Sequence, residues 1–94
     1  MILYIIFPYK VRGLELTKGV IARHVAHIRR LNAEGRLVMC GPFSDHPSEM
    51  IIIEANDKHE AVGIAEQDPF VFEGYRAFEV RTLQVANEEN NFLE

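Results

Sequence analysis

The first seven residues, Met1-Ile2-Leu3-Tyr4-Ile5-Ile6-Phe7, form an unbroken apolar run. A strand sends successive side chains to opposite faces of its sheet, so a run apolar at both parities has no face that prefers water. Its β-branched and aromatic residues favour a strand, and Pro8 is expected to end it. The chain has 94 residues, 48% of them hydrophobic and 26% charged, an ordinary globular composition at the length of one domain. One core therefore has to cover this strand on both sides. No basic segment precedes the run and it is far shorter than a membrane span, so the expectation is a structural strand, neither leader nor anchor.

Helical periodicity follows over residues 17–34, where Val20, Ile21, Val25, Ile28 and Leu31 share a stripe opposite Arg29, Arg30 and Ala33. Gly35 supplies the stop. Gly19 weakens a helix interior and Lys18 is poorly signed for a first turn, so a short separate turn over 14–18 would suit the helix start. Residues 36–40 read as a second strand, 41–48 as a turn-rich loop, and 50–54 as a third strand, together a hairpin. Asp57 and Glu60 form a capping-box-like start to a second helix through Ala61, Val62, Ile64 and Ala65, which Asp68-Pro69 closes. Residues 75–85 alternate, with Phe78, Val80 and Thr82 on one face and Tyr75, Ala77, Glu79 and Arg81 on the other.

The order βαββαβ folds most simply into a ferredoxin-like α+β domain, a four-stranded antiparallel sheet with both helices on one face. The domain is expected to span residues 1–86, with 87–94 an acidic polar tail whose Phe92 and Leu93 dock or fray. Residues 50–53 are also apolar at both parities, so the sheet face without helices needs its own cover. A second copy of the chain is the simplest cover, which makes a homodimer the expected assembly.

A formal charge of −4 gives no pull toward nucleic acid or an anionic membrane surface, and neither is an expected partner. Cys40 is the single cysteine, so no intramolecular disulfide can form, and the cytoplasm is the expected compartment.

His24 falls near the centre of the first helix's apolar stripe and should point inward. Such a histidine is ordinarily a core residue satisfied by one hydrogen bond; it becomes a general acid or base when a carboxylate fixes its tautomer. Asp68 is the candidate carboxylate, because it ends the second helix beside the first, although Asp before Pro is also a common turn initiator. His24 and His27, at i and i+3, could in principle share a metal with help from His46 or His59, but no zinc spacing accompanies them; His27 is expected at the solvated edge of the stripe and no metal is expected. The loop Gly41-Pro42-Phe43-Ser44 could receive a small ligand at the rim of the sheet, and Arg23 could meet an anionic oxygen of it. Cys40, without an activating base nearby in sequence, reads as a packed thiol.

Three features in this order resemble the YCII-related family: His24 on the first helix, Glu34-Gly35-Arg36-Leu37-Val38-Met39-Cys40-Gly41-Pro42, and Gln67-Asp68-Pro69-Phe70 followed by Gly74. The resemblance implies a fold similar to muconolactone isomerases and a dimeric α/β barrel. It also implies a site built from a histidine and an aspartate, at His24 and Asp68. Two readings follow. One is an isomerase or lyase acting without a cofactor on a small cyclic or hydroxylated organic acid or phenol; the other is a non-catalytic dimeric module that binds a small organic ligand or serves in a stress response.

Overall fold

A computed structural model describes residues 1–11 and 13–94; Arg12, in the connection after the first strand, lies outside the described residues. The chain runs β1 (Ile2–Lys10), α1 (Lys18–Ala33), β2 (Leu37–Pro42), β3 (Glu49–Ile53), α2 (Lys58–Glu66), α3 (Pro69–Phe72) and β4 (Arg76–Gln84), then a short 3₁₀ segment, Glu88–Leu93. The strands form one sheet in the order β2-β3-β1-β4, with every neighbouring pair antiparallel. This is the ferredoxin-like arrangement expected from the element order, and the sheet does not close on itself. Among the described residues, no helix is long and apolar enough to cross a membrane.

The doubly apolar first strand is central, as its composition requires. Tyr4, Ile5 and Ile6 pair with Ile53, Ile52 and Ile51 on one side, and all of β1 pairs with β4 on the other. Tyr4, Ile6, Ile51, Ile53 and Val80 turn to the helices and meet Leu31, Ala61, Ile64 and Ala65 in the core. Pro8 does not end the strand. It falls after the last β1–β3 pair, and pairing with β4 continues through Lys10↔Arg76; a missing amide proton is tolerated where a ladder has lost one neighbour.

The first helix starts without a separate turn. Residues 14–17 are irregular, and the Thr17 hydroxyl caps α1 by accepting from the Val20 amide at 3.1 Å. At the other end Gly35 takes φ 75°, which a side chain would resist, and the Arg36 amide returns to the Leu31 carbonyl at 2.9 Å. Asp57 caps α2 through the Glu60 amide, but the Glu60 carboxylate does not return to Asp57. It accepts from the Asn56 backbone and side chain, and it pairs with Arg36.

A short helix that sequence reading does not separate, α3, follows α2 at once. Asp68 caps it and Pro69 takes its first position, where the absent amide proton costs no bond. In the tail, Asn87 and Asn90 cap each other's backbone amides, which gives residues 88–93 a defined turn.

The core prediction concerns Ile53, which is fully buried between the sheet and α2. Ile53→Ala is expected to cost about 2–5 kcal/mol, read as a lower urea midpoint with an unchanged denaturant slope.

Candidate functional site

The buried stripe of α1 is Val20, His24, His27 and Leu31, while Ile21 and Val25 are about 40% exposed. The helix is thus turned so that two imidazoles face inward, and His27 is buried at 3% exposure where a solvated edge was expected. α1 packs against α3, so its inward face meets another helix as well as the sheet. Burial pushes the His27 ring below the ordinary histidine range; the Asp68 charge opposes this, and Arg30 and His24 reinforce it.

His24 meets Asp68. Its Nδ1 lies 2.8 Å and 2.9 Å from the two carboxylate oxygens of Asp68, and Asp68 Oδ1 also accepts from the Phe70 amide at 2.9 Å. A carboxylate only accepts, so Nδ1 carries the proton in this bond and the lone pair of the neutral ring resides on Nε2. Asp68 is 2% exposed, and these donors offset the cost of burying it. The Phe70 ring lies flat on the imidazole, with centroids 3.9 Å apart and planes within 1° of parallel. Tautomer and ring plane are therefore both held by α3.

Nε2 points away from Asp68 and makes no hydrogen bond among the described residues. The nearest carboxylate on that side is Glu49, the first residue of β3, whose Oε1 stands 3.8 Å off. Glu49 Oε1 is buried and has no hydrogen-bond partner among the described residues. Burial pushes the Glu49 carboxyl above the usual range; His24 and Arg76 pull it back, and Asp68 adds to the rise. The sequence pattern starts the third strand at Met50 and assigns Glu49 to neither that strand nor the loop before it. The signal was its parity, since Glu49 shares the inward side with Ile51 and Ile53.

Two clefts meet at Glu49. One, of about 340 Å³, is lined by His24, Val25, Ile28, Cys40, Pro42 and Glu49, with Gly41 at its wall. The other, of about 400 Å³, is lined by Lys10, Phe43, His46, Glu49, Phe70 and Arg76. Each has the volume of a small-molecule site. Gly41 and Pro42 line the first cleft and Pro42 and Phe43 the second, whereas Ser44 lines neither.

Arg23 also lines neither cleft, contrary to the expectation for it. It points to the outer surface and grips the Glu73 carboxylate through two bonds of 2.9 Å and 2.7 Å. A bidentate partner three residues past Phe70 in the chain satisfies the guanidinium before any ligand could. Among the described residues, Lys10 and Arg76 face the one cleft and Arg29 the other. Cys40 is exposed on the cleft wall and not packed, because β2 is an edge strand; desolvation and the Glu49 charge push its thiol up, away from the reactive thiolate.

Residues 1–84 match the YCII-related domain family. This chain belongs to that family. It is 36% identical over 72 residues to the uncharacterized protein YjpA of Bacillus subtilis strain 168, covering 77% of this chain and 85% of that one. Among solved structures it is similar to the 5-chloro-2-hydroxyhydroquinone dehydrochlorinase of Burkholderia phenoliruptrix AC1100, in complex with 2,5-dihydroxybenzoquinone. The TM-score is 0.64 at 21% identity, over 95% of this chain and 99% of that one. Muconolactone isomerase gives 0.64 at 16% identity, over 94% of this chain and 93% of that one. An antibiotic biosynthesis monooxygenase gives 0.58 at 12% identity, over 93% and 100%. At these identities the structural likeness establishes the family's fold and leaves the chemistry to the site.

His27 supplies a pH prediction. Its folded-state value is lowered, so its contribution to stability is fully present above the ordinary histidine value near 6.5 and is lost as pH falls below that toward the folded value. Urea midpoints should drop from pH 7.5 to 5.5, and His27→Phe should remove part of that slope.

Proposed function

We propose that this YCII-related protein is a cofactor-independent isomerase or lyase of a small cyclic or hydroxylated organic acid or phenol. His24 would move the proton through Nε2, and Asp68 would orient the ring and stabilise its charged form. Gly41, Pro42 and Phe43 would form the ligand wall, with Arg76 and Lys10 taking the role of meeting an anionic oxygen. The observation that carries this reading is the asymmetry of His24: one nitrogen is bound to a buried carboxylate, and the other has no hydrogen bond among the described residues and stands at a cleft. A histidine serving only to fill the core would have its second nitrogen bonded to backbone or packed away. Similarity in fold to a dehydrochlorinase and to muconolactone isomerase supports the reaction class.

The test is a screen of hydroxylated acids, lactones and phenols with the wild type, His24→Gln and Asp68→Asn. Turnover is expected in the wild type and absent in His24→Gln. Asparagine is itself a good helix cap, so Asp68→Asn should keep the fold while lowering kcat/KM by roughly 10²–10⁴-fold. Long-range ¹H–¹⁵N spectra should find the Nδ1–H tautomer of His24 in the wild type and a mixture in Asp68→Asn. An unchanged tautomer and unchanged rates would overturn the pairing.

We further propose that the protein works as a homodimer joined through the open sheet face. Ile5 and Ile52 are register partners on that face and stay only half-buried in the monomer, with Leu83 and Met39 exposed beside them. Ile52→Lys should convert a dimer to a monomer in sedimentation, whereas an unchanged mass would exclude this interface.

A further inference from the structure

The strongest unexplained feature is Glu49. Asp68 and Glu49 flank the His24 imidazole at its two nitrogens, yet they are treated oppositely by the fold. Asp68 receives donors from His24 Nδ1 and the Phe70 amide, while Glu49 Oε1 is buried with none among the described residues and stops 3.8 Å short of Nε2. A buried acceptor left without a donor costs about 1–3 kcal/mol, more if charged, so an ionised Glu49 is poorly served here. A protonated one is better suited, because its hydroxyl can turn toward the cleft. The position is also unusual: Glu49 is on the wall of both clefts, so anything that fills either one beside His24 meets its carboxyl group.

We propose that Glu49 is the second catalytic residue of this site, a neutral carboxylic acid that donates a proton to the ligand while His24 Nε2 removes one. This deepens the isomerase or lyase reading and rests on it. The cycle balances without a co-reactant. His24 Nε2 takes a proton from a ligand C–H or O–H, and the electron pair of that bond stays on the ligand. Glu49 O–H gives its proton to the ligand at a neighbouring oxygen or carbon, and its own bonding pair remains as carboxylate. The gap of 3.8 Å between them is too long for a direct transfer, so a solvent water takes the imidazolium proton and passes one to the Glu49 carboxylate, and both groups regain their starting states. An isomerised ligand has lost one proton and gained one, with no change of oxidation state. The matching substrate class is an enolisable oxo or hydroxy ring, whose acidic hydrogen and basic oxygen lie a few bonds apart. An acyclic acid with no such oxygen would leave Glu49 without a task.

The charges that set the state of Glu49 come from each element around it. His24 faces it from α1, Arg76 from β4 and Asp68 from the cap of α3. Lys10 of β1 and His46 of the loop border the same cleft, and Cys40 of β2 and Arg29 of α1 border the other. Desolvation outweighs the cations among them and raises the carboxyl above the usual glutamate range.

The experiment is a paired NMR titration of the intact protein, with ¹³C at glutamate side-chain carboxyls and ¹⁵N in the histidine rings. Glu49 is expected to titrate above the other glutamates, and the His24 Nε2 shift should carry an extra inflection at the same pH. In Glu49→Gln, which keeps the shape and an N–H donor, that inflection should vanish while the Nδ1–H tautomer of His24 persists. Glu49 titrating with the surface glutamates, or a His24 curve identical in the wild type and Glu49→Gln, would overturn the proposal. The wild-type curve decides by itself should the variant fail to fold. The Asp68→Asn tautomer measurement reports the His24–Asp68 pairing independently, so loss of the Glu49 role and loss of the underlying reading give different spectra. In any compound that turns over, Glu49→Gln should lower kcat at least tenfold with KM little changed, as expected for a lost proton donor whose shape is kept.

Discussion

The site depends on one carboxylate doing two things. Asp68 caps α3 with the same oxygen that accepts from His24 Nδ1, so the path of the chain after α2 and the orientation of the imidazole are a single constraint. Neither half stands well alone. A helix of four residues has little intrinsic stability, and an imidazole buried in an apolar stripe needs a fixed acceptor. Pro69 sets the first turn of α3, Phe70 follows and lies on the His24 ring, and Gly74 at φ 87° lets the chain leave for β4. The Asp-Pro-Phe turn is therefore the device that carries α3 to α1.

Much of the fold was legible because it follows from local pattern. A first strand apolar at both parities has to be central, and it is, with β3 and β4 on either side. The alternation set Phe78 and Val80 on one face of β4, and both pack at the core. Where local rules conflicted, context decided: Pro8 was absorbed into β1 once β3 had stopped pairing, and Thr17 capped α1 directly despite Gly19 behind it. The rotation of α1 was less legible. Val20, His24, His27 and Leu31 are buried while Ile21 and Val25 are left half-open, because α3 claims one flank of the helix and the cleft occupies the other. No hydrophobicity pattern contains the position of a four-residue helix, so His27 was placed on the wrong side of the boundary.

The candidate site divides the same way. His24 and Asp68 could be read as a pair because each is a polar residue in a position that ordinarily belongs to packing or turning. Arg23 could not be read correctly, since its partner Glu73 is brought beside it only by the α1–α3 contact. Glu49 was hidden by sitting one residue outside an obvious strand. Its parity with Ile51 and Ile53 put it on the inward face, where a carboxyl group meets desolvation that few sequence rules anticipate.

The stacking of Phe70 on His24 has a stereochemical consequence. An imidazole clamped in plane by an aromatic face, and tied at Nδ1 to a carboxylate, has no room to turn over; it can present only one atom, always from the same direction. Glu49 stands 3.8 Å from that atom, on the same wall. A flat ring lying against this wall would lose and regain hydrogen on one and the same face, a suprafacial course.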